Sequence, residues 1–191
     1  MHQSTDPALL VIDVQKGLDN PRLGPRNNPD AEKRIAELLA AWRAAGKPVI
    51  HVKHMSTEPQ SLLRPGLPGN AIKDEALPID GEPLFQKNVN SAFIGTDLET
   101  HLRSRGIDSL VVVGLTTAHC ISTSARMAAN LGFKVTVVAD ATATHGHTSY
   151  DGKYYDPDLI HRVELTSLNG EFATVRESHE LLEDVAATSN R

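Results

Sequence analysis

The chain has one cysteine, Cys120, set in the run LVVVGLTTAHCISTSARMAANLG from Leu110 to Gly132. A thiol becomes a nucleophile when a base or a positive field removes its proton. Leu110 to Val113 is short, β-branched and uncharged, the pattern of a strand buried on both faces. From about Thr117 the pattern turns helical, with Ile121, Ala125, Ala128 and Leu131 along one face. Thr116 or Thr117 is the expected N-cap, and Gly132 the stop. Cys120 is therefore expected in the first helical turn, above the end of a central strand. Backbone N–H groups and the helix dipole there favour a thiolate and could hold an oxyanion forming on a substrate carbonyl. Position alone does not separate such a nucleophile from a small buried hydrophobe.

Other reactive side chains fall at comparable places. Asp13 lies at the end of the apolar run Ala8 to Val14, His54 just after Pro48 to Lys53, and Asp140 after Lys134 to Ala139. Lys87 lies in a short candidate strand, Leu84 to Asn88. Helical patterns separate these runs: Asp30 to Ala45, Asp97 to Arg105, Asp156 to Leu168 and Ser178 to Ala187. Phe172 to Val175 reads as an edge strand. Strands alternating with helices predict one α/β domain over residues 1–191, built on a mainly parallel sheet. Such sheets bind ligands beyond the carboxyl ends of their strands. An acid, a base and a thiol would then share one rim. A carboxylate on a buried strand needs a partner; an ammonium would supply one, and the pair could take the thiol proton. Loops 15–29, 54–83 and 141–153 are expected to wall the pocket, the second holding most of the prolines.

Composition excludes several classes. The net charge is −5 over 191 residues, with no basic stripe, so nucleic acid is not an expected partner. One cysteine allows no internal disulfide and fits a reducing cytoplasm. The N-terminus shows no basic, apolar leader, and no run is long enough to cross a membrane. Gly114 precedes LTTAHC, which lacks the G-x-G-x-x-G spacing of a dinucleotide site.

Three motifs in order, LLVIDVQKG with Asp13, QKNVNSAFIGTDL with Lys87, and VVVGLTTAHCISTSARMAANLGF with Cys120, resemble the isochorismatase-like cysteine hydrolases, relatives of nicotinamidases and N-carbamoylsarcosine amidases. The resemblance covers nearly the whole chain. It implies a three-layer α/β/α sandwich around a mainly parallel six-stranded sheet. It also implies a triad in which Cys120 attacks, Asp13 shuttles the proton and Lys87 stabilises both charges. A cis peptide at Leu115–Thr116 would set the N–H groups of Thr116 and Cys120 as the oxyanion hole. The implied reaction is hydrolysis of a small carboxamide, ureido or cyclic amide through a thioester, without cofactor, in a homo-oligomer (dimer or tetramer). Isochorismatases proper lack the cysteine, so Cys120 points away from vinyl-ether cleavage.

Departures from the family pattern narrow the expectations. Metal-binding nicotinamidases carry Asp-x-His-x-x-x-His after the second strand, whereas this chain reads HVKHMSTE; no metal is expected. His51 and His54 would straddle opposite faces of an extended strand, poor geometry for joint ligation. His51 is expected in the core and His54 facing the pocket. His145 and His147 could ligate a metal, but solvated loop histidines are the commoner outcome. His119 either lines the pocket or packs on a neighbouring loop, and Arg64 either binds a substrate carboxylate or stays on the surface. Leu168 to Val175, LNGEFATV, is expected to be structural and to help assembly. Two other readings remain beside the amidohydrolase: a catalytically silent member that binds a small molecule or partner, and a redox-sensing thiol, for which no second cysteine is present.

Overall fold

The computed structural model describes residues 6–189; the expected absence of a leader concerns residues 1–5 and lies outside them. The elements are β1 (Ala8–Ile12), α1 (Ala31–Ala44), β2 (Val49–His54), β3 (Leu84–Lys87), α2 (Leu98–Ser104), β4 (Ser109–Leu115), a wide helical turn at Thr117–Ile121 running into α3 (Ser122–Asn130), β5 (Lys134–Ala143), a small antiparallel hairpin of β6 (His147–Thr148) and β7 (Tyr154–Tyr155), α4 (Pro157–Leu168), β8 (Thr174–Arg176) and α5 (Ser178–Ser189). Six strands form one sheet in the order β3-β2-β1-β4-β5-β8. Every neighbouring pair in it is parallel.

Alternation along the central strands builds the three layers. Ala8, Leu10 and Ile12 of β1 pack with Leu98 and Leu102 of α2, Ala125 and Ala128 of α3, and Leu165 and Leu168 of α4. Leu9 and Val11 face the other way, onto Ile35, Leu38, Leu39 and Trp42 of α1 and Leu181 and Val185 of α5. Both faces are covered, which is why the sequence reads as continuous apolar runs.

The chain builds outward from β1 to β3 on one side and from β4 to β8 on the other, so the strand order reverses between β1 and β4. Loops leaving two such strands diverge and open a crevice at their carboxyl ends. Gly114 is required at this seam: it pairs with Ile12, has φ of 124°, and an added Cβ would lie 1.9 Å from the Ile12 carbonyl oxygen.

Two expectations are corrected here. β5 does not stop at Ala139; a register shift lets it continue beside Gly114 and Leu115 to Ala143. Asp140 is therefore inside a strand and away from the rim. Its carboxylate accepts from the Ser178 N–H (2.8 Å) and hydroxyl (2.6 Å), holding the start of α5. His145 is not a solvated loop histidine but is buried. Its Nε2 meets the Leu18 carbonyl at 3.1 Å, and the Gly146 N–H donates to Pro25 O. Those bonds knit the loop after β5 to the loop after β1.

Candidate active site

Asp13 follows the last residue of β1 with φ of 53°, a left-handed conformation that aspartate tolerates better than bulkier residues. Lys87 is the last residue of β3 and lies in register with His54, the last of β2. This register brings Lys87, two strands from β1, to Asp13. Lys87 Nζ donates to Asp13 Oδ2 at 2.6 Å with both side chains almost wholly buried. It also meets His54 Nδ1 at 2.9 Å, Val89 O at 3.1 Å and Cys120 Sγ at 3.2 Å. Four acceptors surround three ammonium protons, so the bond to sulfur is shared until the sulfur gains charge.

Cys120 occupies the turn between β4 and α3, where the Leu115–Thr116 peptide is cis. Neither threonine caps as the sequence suggests. Thr116 makes no side-chain cap bond, and its hydroxyl pairs with His119 Nδ1 at 3.0 Å. The Thr117 hydroxyl is held by His161 Nδ1 at 2.8 Å, whose Nε2 reaches Ala139 O. This anchors the turn to α4 and β5 and selects a wide turn in place of a regular first turn of helix.

Protonation also differs from the local expectation. The Cys120 thiol is pushed up to about 12, by burial first and then by the Asp13 carboxylate, with Lys87 opposing. Burial and the neighbouring carboxylate thus favour the thiol as the resting group. Burial likewise raises Asp13 above the usual aspartate value, against the pull of Lys87. Asp13 Oδ1 is buried with no hydrogen-bond partner. Burial, then Lys87, lower the pKa of His54, leaving a neutral ring to face the ammonium.

A cavity of about 170 Å³ opens over these groups, lined by Asp13, Leu18, His54, Ser61, Leu63, Asn90, Leu115, Thr116, His119 and Cys120. His54 and His119 thus share one cavity with the thiol, whereas Arg64 is exposed outside its lining. His119 stands exposed at the mouth, with His147 of the hairpin against it edge to face at 5.2 Å. His51 is on the opposite side of β2, buried, with Nε2 at 2.8 Å from Glu82.

Several contributors escaped the sequence reading. Asn90 lies in the Lys87 motif and takes the Cys120 thiol at 3.8 Å; its distance of three residues from Lys87 was the available signal. Gln15, two residues after Asp13, is buried and clamps the His54 backbone. Its Oε1 accepts from His54 N (2.9 Å) and its Nε2 donates to His54 O (3.1 Å). Asn70 donates to the carbonyls of His54 (2.9 Å) and Leu63 (2.6 Å), tying the proline-rich loop over the site.

Among the described residues, one group has metal-binding composition: atoms of Asp13, His54 and Cys120 within 4.8 Å of one another. The Lys87 ammonium contacts all three. It takes the place a cation would occupy, and the two positive charges would repel.

Comparison with known proteins agrees with this architecture. The isochorismatase domain model matches residues 7–180. An uncharacterized isochorismatase family protein, YrdC, of Bacillus subtilis strain 168 is 44% identical over 181 residues, covering 95% of this chain and 97% of that one. The crystal structure of a putative hydrolase of the isochorismatase family from Chromobacterium violaceum superposes with a TM-score of 0.93 at 43% identity, covering 98% and 96% of the two chains. A more distant relative, maleamate amidohydrolase of Pseudomonas putida, is 27% identical over 197 residues, covering 94% and 88%. Fold and neighbours define an isochorismatase-fold hydrolase. The chain belongs to the isochorismatase family.

Proposed function

We propose that this hydrolase is a cysteine amidohydrolase acting on a small carboxamide, ureido or cyclic amide. The observation that carries the reading is the meeting of Asp13 and Cys120, both lining the cavity, through the Lys87 ammonium buried beneath them. As the amide carbonyl reaches Cys120, Asp13 Oδ1, the acceptor left without a donor, takes the thiol proton while sulfur forms a bond to the carbonyl carbon. A carboxyl raised by burial is a better base for this than an ordinary aspartate. Lys87 offsets the thiolate charge as it develops. The carbonyl oxygen becomes an oxyanion, received by the N–H groups of Thr116 and Cys120, both lining residues. The proton on Asp13 passes to the nitrogen, the C–N bond breaks, and an amine or ammonia leaves a thioester on Cys120. Water gives a proton to Asp13 and its oxygen to the acyl carbon; the C–S bond breaks, the acid departs and the sulfur is reprotonated.

The maleamate amidohydrolase relative supports C–N hydrolysis as the reaction class but does not identify the substrate of this chain. A chemistry that needs a free thiol suits a reducing cytoplasm. Assembly as a dimer or tetramer belongs to the same reading and is checked by light scattering.

The test is Cys120→Ala, assayed for ammonia release over a panel of small amides, with rapid-quench mass spectrometry of the parent protein. Expected are an acyl adduct on Cys120 and a loss of several orders of magnitude in rate in the variant. Turnover retained in pure Cys120→Ala would end the cysteine mechanism. A folded parent with neither turnover nor adduct would favour a silent binding protein.

A further inference from the structure

We propose that the substrate is a compact, uncharged amide, and that carboxylate-bearing amides are rejected. This rests on the amidohydrolase reading and narrows its substrate class.

The cavity measures about 170 Å³, below the roughly 300–1,000 Å³ of ordinary small-molecule pockets. That space fits a compact molecule. Its lining falls into three sets. Leu18, Leu63 and Leu115 give apolar surface. Ser61, Asn90, Thr116, His54 and His119 give neutral donors and acceptors. Asp13 and Cys120 are the reacting groups.

Among the described residues lining it there is no lysine or arginine. The nearest cation, Lys87, has no exposed side-chain surface and is engaged by Asp13, His54, Val89 and Cys120. It balances Asp13, so the pair brings no surplus positive charge to a ligand. Neither imidazole supplies one. His54 is held neutral by burial and Lys87. His119, open on its outer side, is lowered by the partial burial of its ring and by His147 beside it. Arg64, the residue that could have met a substrate carboxylate, is outside the lining.

A carboxylate entering here would give up water with no countercharge, beside the Asp13 carboxylate. An amide or urea group in the same place would find Asn90, Ser61 and the histidines as partners. Discrimination by charge at constant shape is the expected signature.

Two matched pairs test this, one without turnover. Iodoacetamide and iodoacetate differ little in shape and differ in charge; each alkylates Cys120 at a rate read by mass spectrometry at fixed pH. The ratio of the two rates at Cys120 should exceed the same ratio for N-acetylcysteine by at least about tenfold. An equal or smaller ratio would overturn the proposal whether or not the protein is an amidohydrolase. Succinamide and succinamate form the second pair, read by ammonia release. Preference for the diamide by at least about tenfold in kcat/KM supports the proposal, and equal or reversed preference refutes it. Where neither member is hydrolysed, the alkylation ratio decides the charge preference, and ammonia release over the wider amide panel tests the amidohydrolase reading separately. Leu63→Arg, placing a cation in the lining, should bring the alkylation ratio back toward that of N-acetylcysteine.

Discussion

Replacing Lys87 by Met removes the ammonium and keeps most of the side-chain volume. The Lys87–Asp13 contact is 2.6 Å long with side-chain exposures of 0% and 1%, so water cannot take over the lost partner. Breaking a buried pair from one side costs about 3–5 kcal/mol. For a chain of this length that lowers Tm by about 6–20 °C. The sign with pH is set by Asp13, whose carboxyl burial already raises; losing Lys87 raises it further. The native state then holds a proton that the unfolded chain releases above about pH 3.9. Parent and variant share the unfolded chain, so the gap between them opens above the parent's own raised Asp13 pKa, grows by up to about 1.4 kcal/mol per pH unit, and levels off above the variant's higher one. Urea melts of parent and variant at pH 5 and pH 8 should therefore diverge more at pH 8. Adding Asp13→Asn removes the orphaned charge and should restore most of the stability without the pH dependence, while leaving the protein inactive. A single variant as stable as the parent at both pH values, or a double variant no more stable than the single, would refute the buried-pair argument.

Gly114→Ala should destabilise by more than about 3 kcal/mol, because the new methyl meets the Ile12 carbonyl at 1.9 Å in a left-handed backbone; a Tm within 2 °C of the parent, about 1 kcal/mol at this size, would contradict the close approach of β1 and β4. Glu32 ties α1 to both pocket loops through Arg26 and Lys73, and these hold its carboxyl down from 4.5 to about 2. Because the folded value is lowered, its contribution is full above about pH 4.5 and fades as pH falls toward 2. Glu32→Gln should thus be less stable by about 1–3 kcal/mol at pH 7, with a gap in urea midpoint that narrows below pH 4.5. Prolonged dialysis against EDTA should leave amide hydrolysis unchanged, since Lys87 occupies the centre of the Asp13–His54–Cys120 group; a loss reversed by zinc, manganese or iron would show that a metal displaces the ammonium.

Local patterns in the sequence were enough for the α/β class, the strand runs that end beside Asp13 and His54, and the helix behind Cys120. Apolar period and Gly or Pro punctuation act over a few residues, and that is the range in which these features arise. The motif resemblance supplied the six-stranded sheet and the cis peptide. What local pattern could not supply was long-range. Lys87 is 74 residues from Asp13, and only the order β3-β2-β1 with the register of β2 on β3 carries its ammonium to the carboxylate. Asp140 looked like a rim residue because a register shift in β5, created by pairing with β4, has no signature in its own residues. His145 looked solvated because the loop that buries it comes from more than a hundred positions away. Cys120 shows the difference most directly. Its own neighbours argue for a thiolate, yet burial and the Asp13 carboxylate favour the thiol, because desolvation is set by everything packed around the sulfur, most of it distant in sequence.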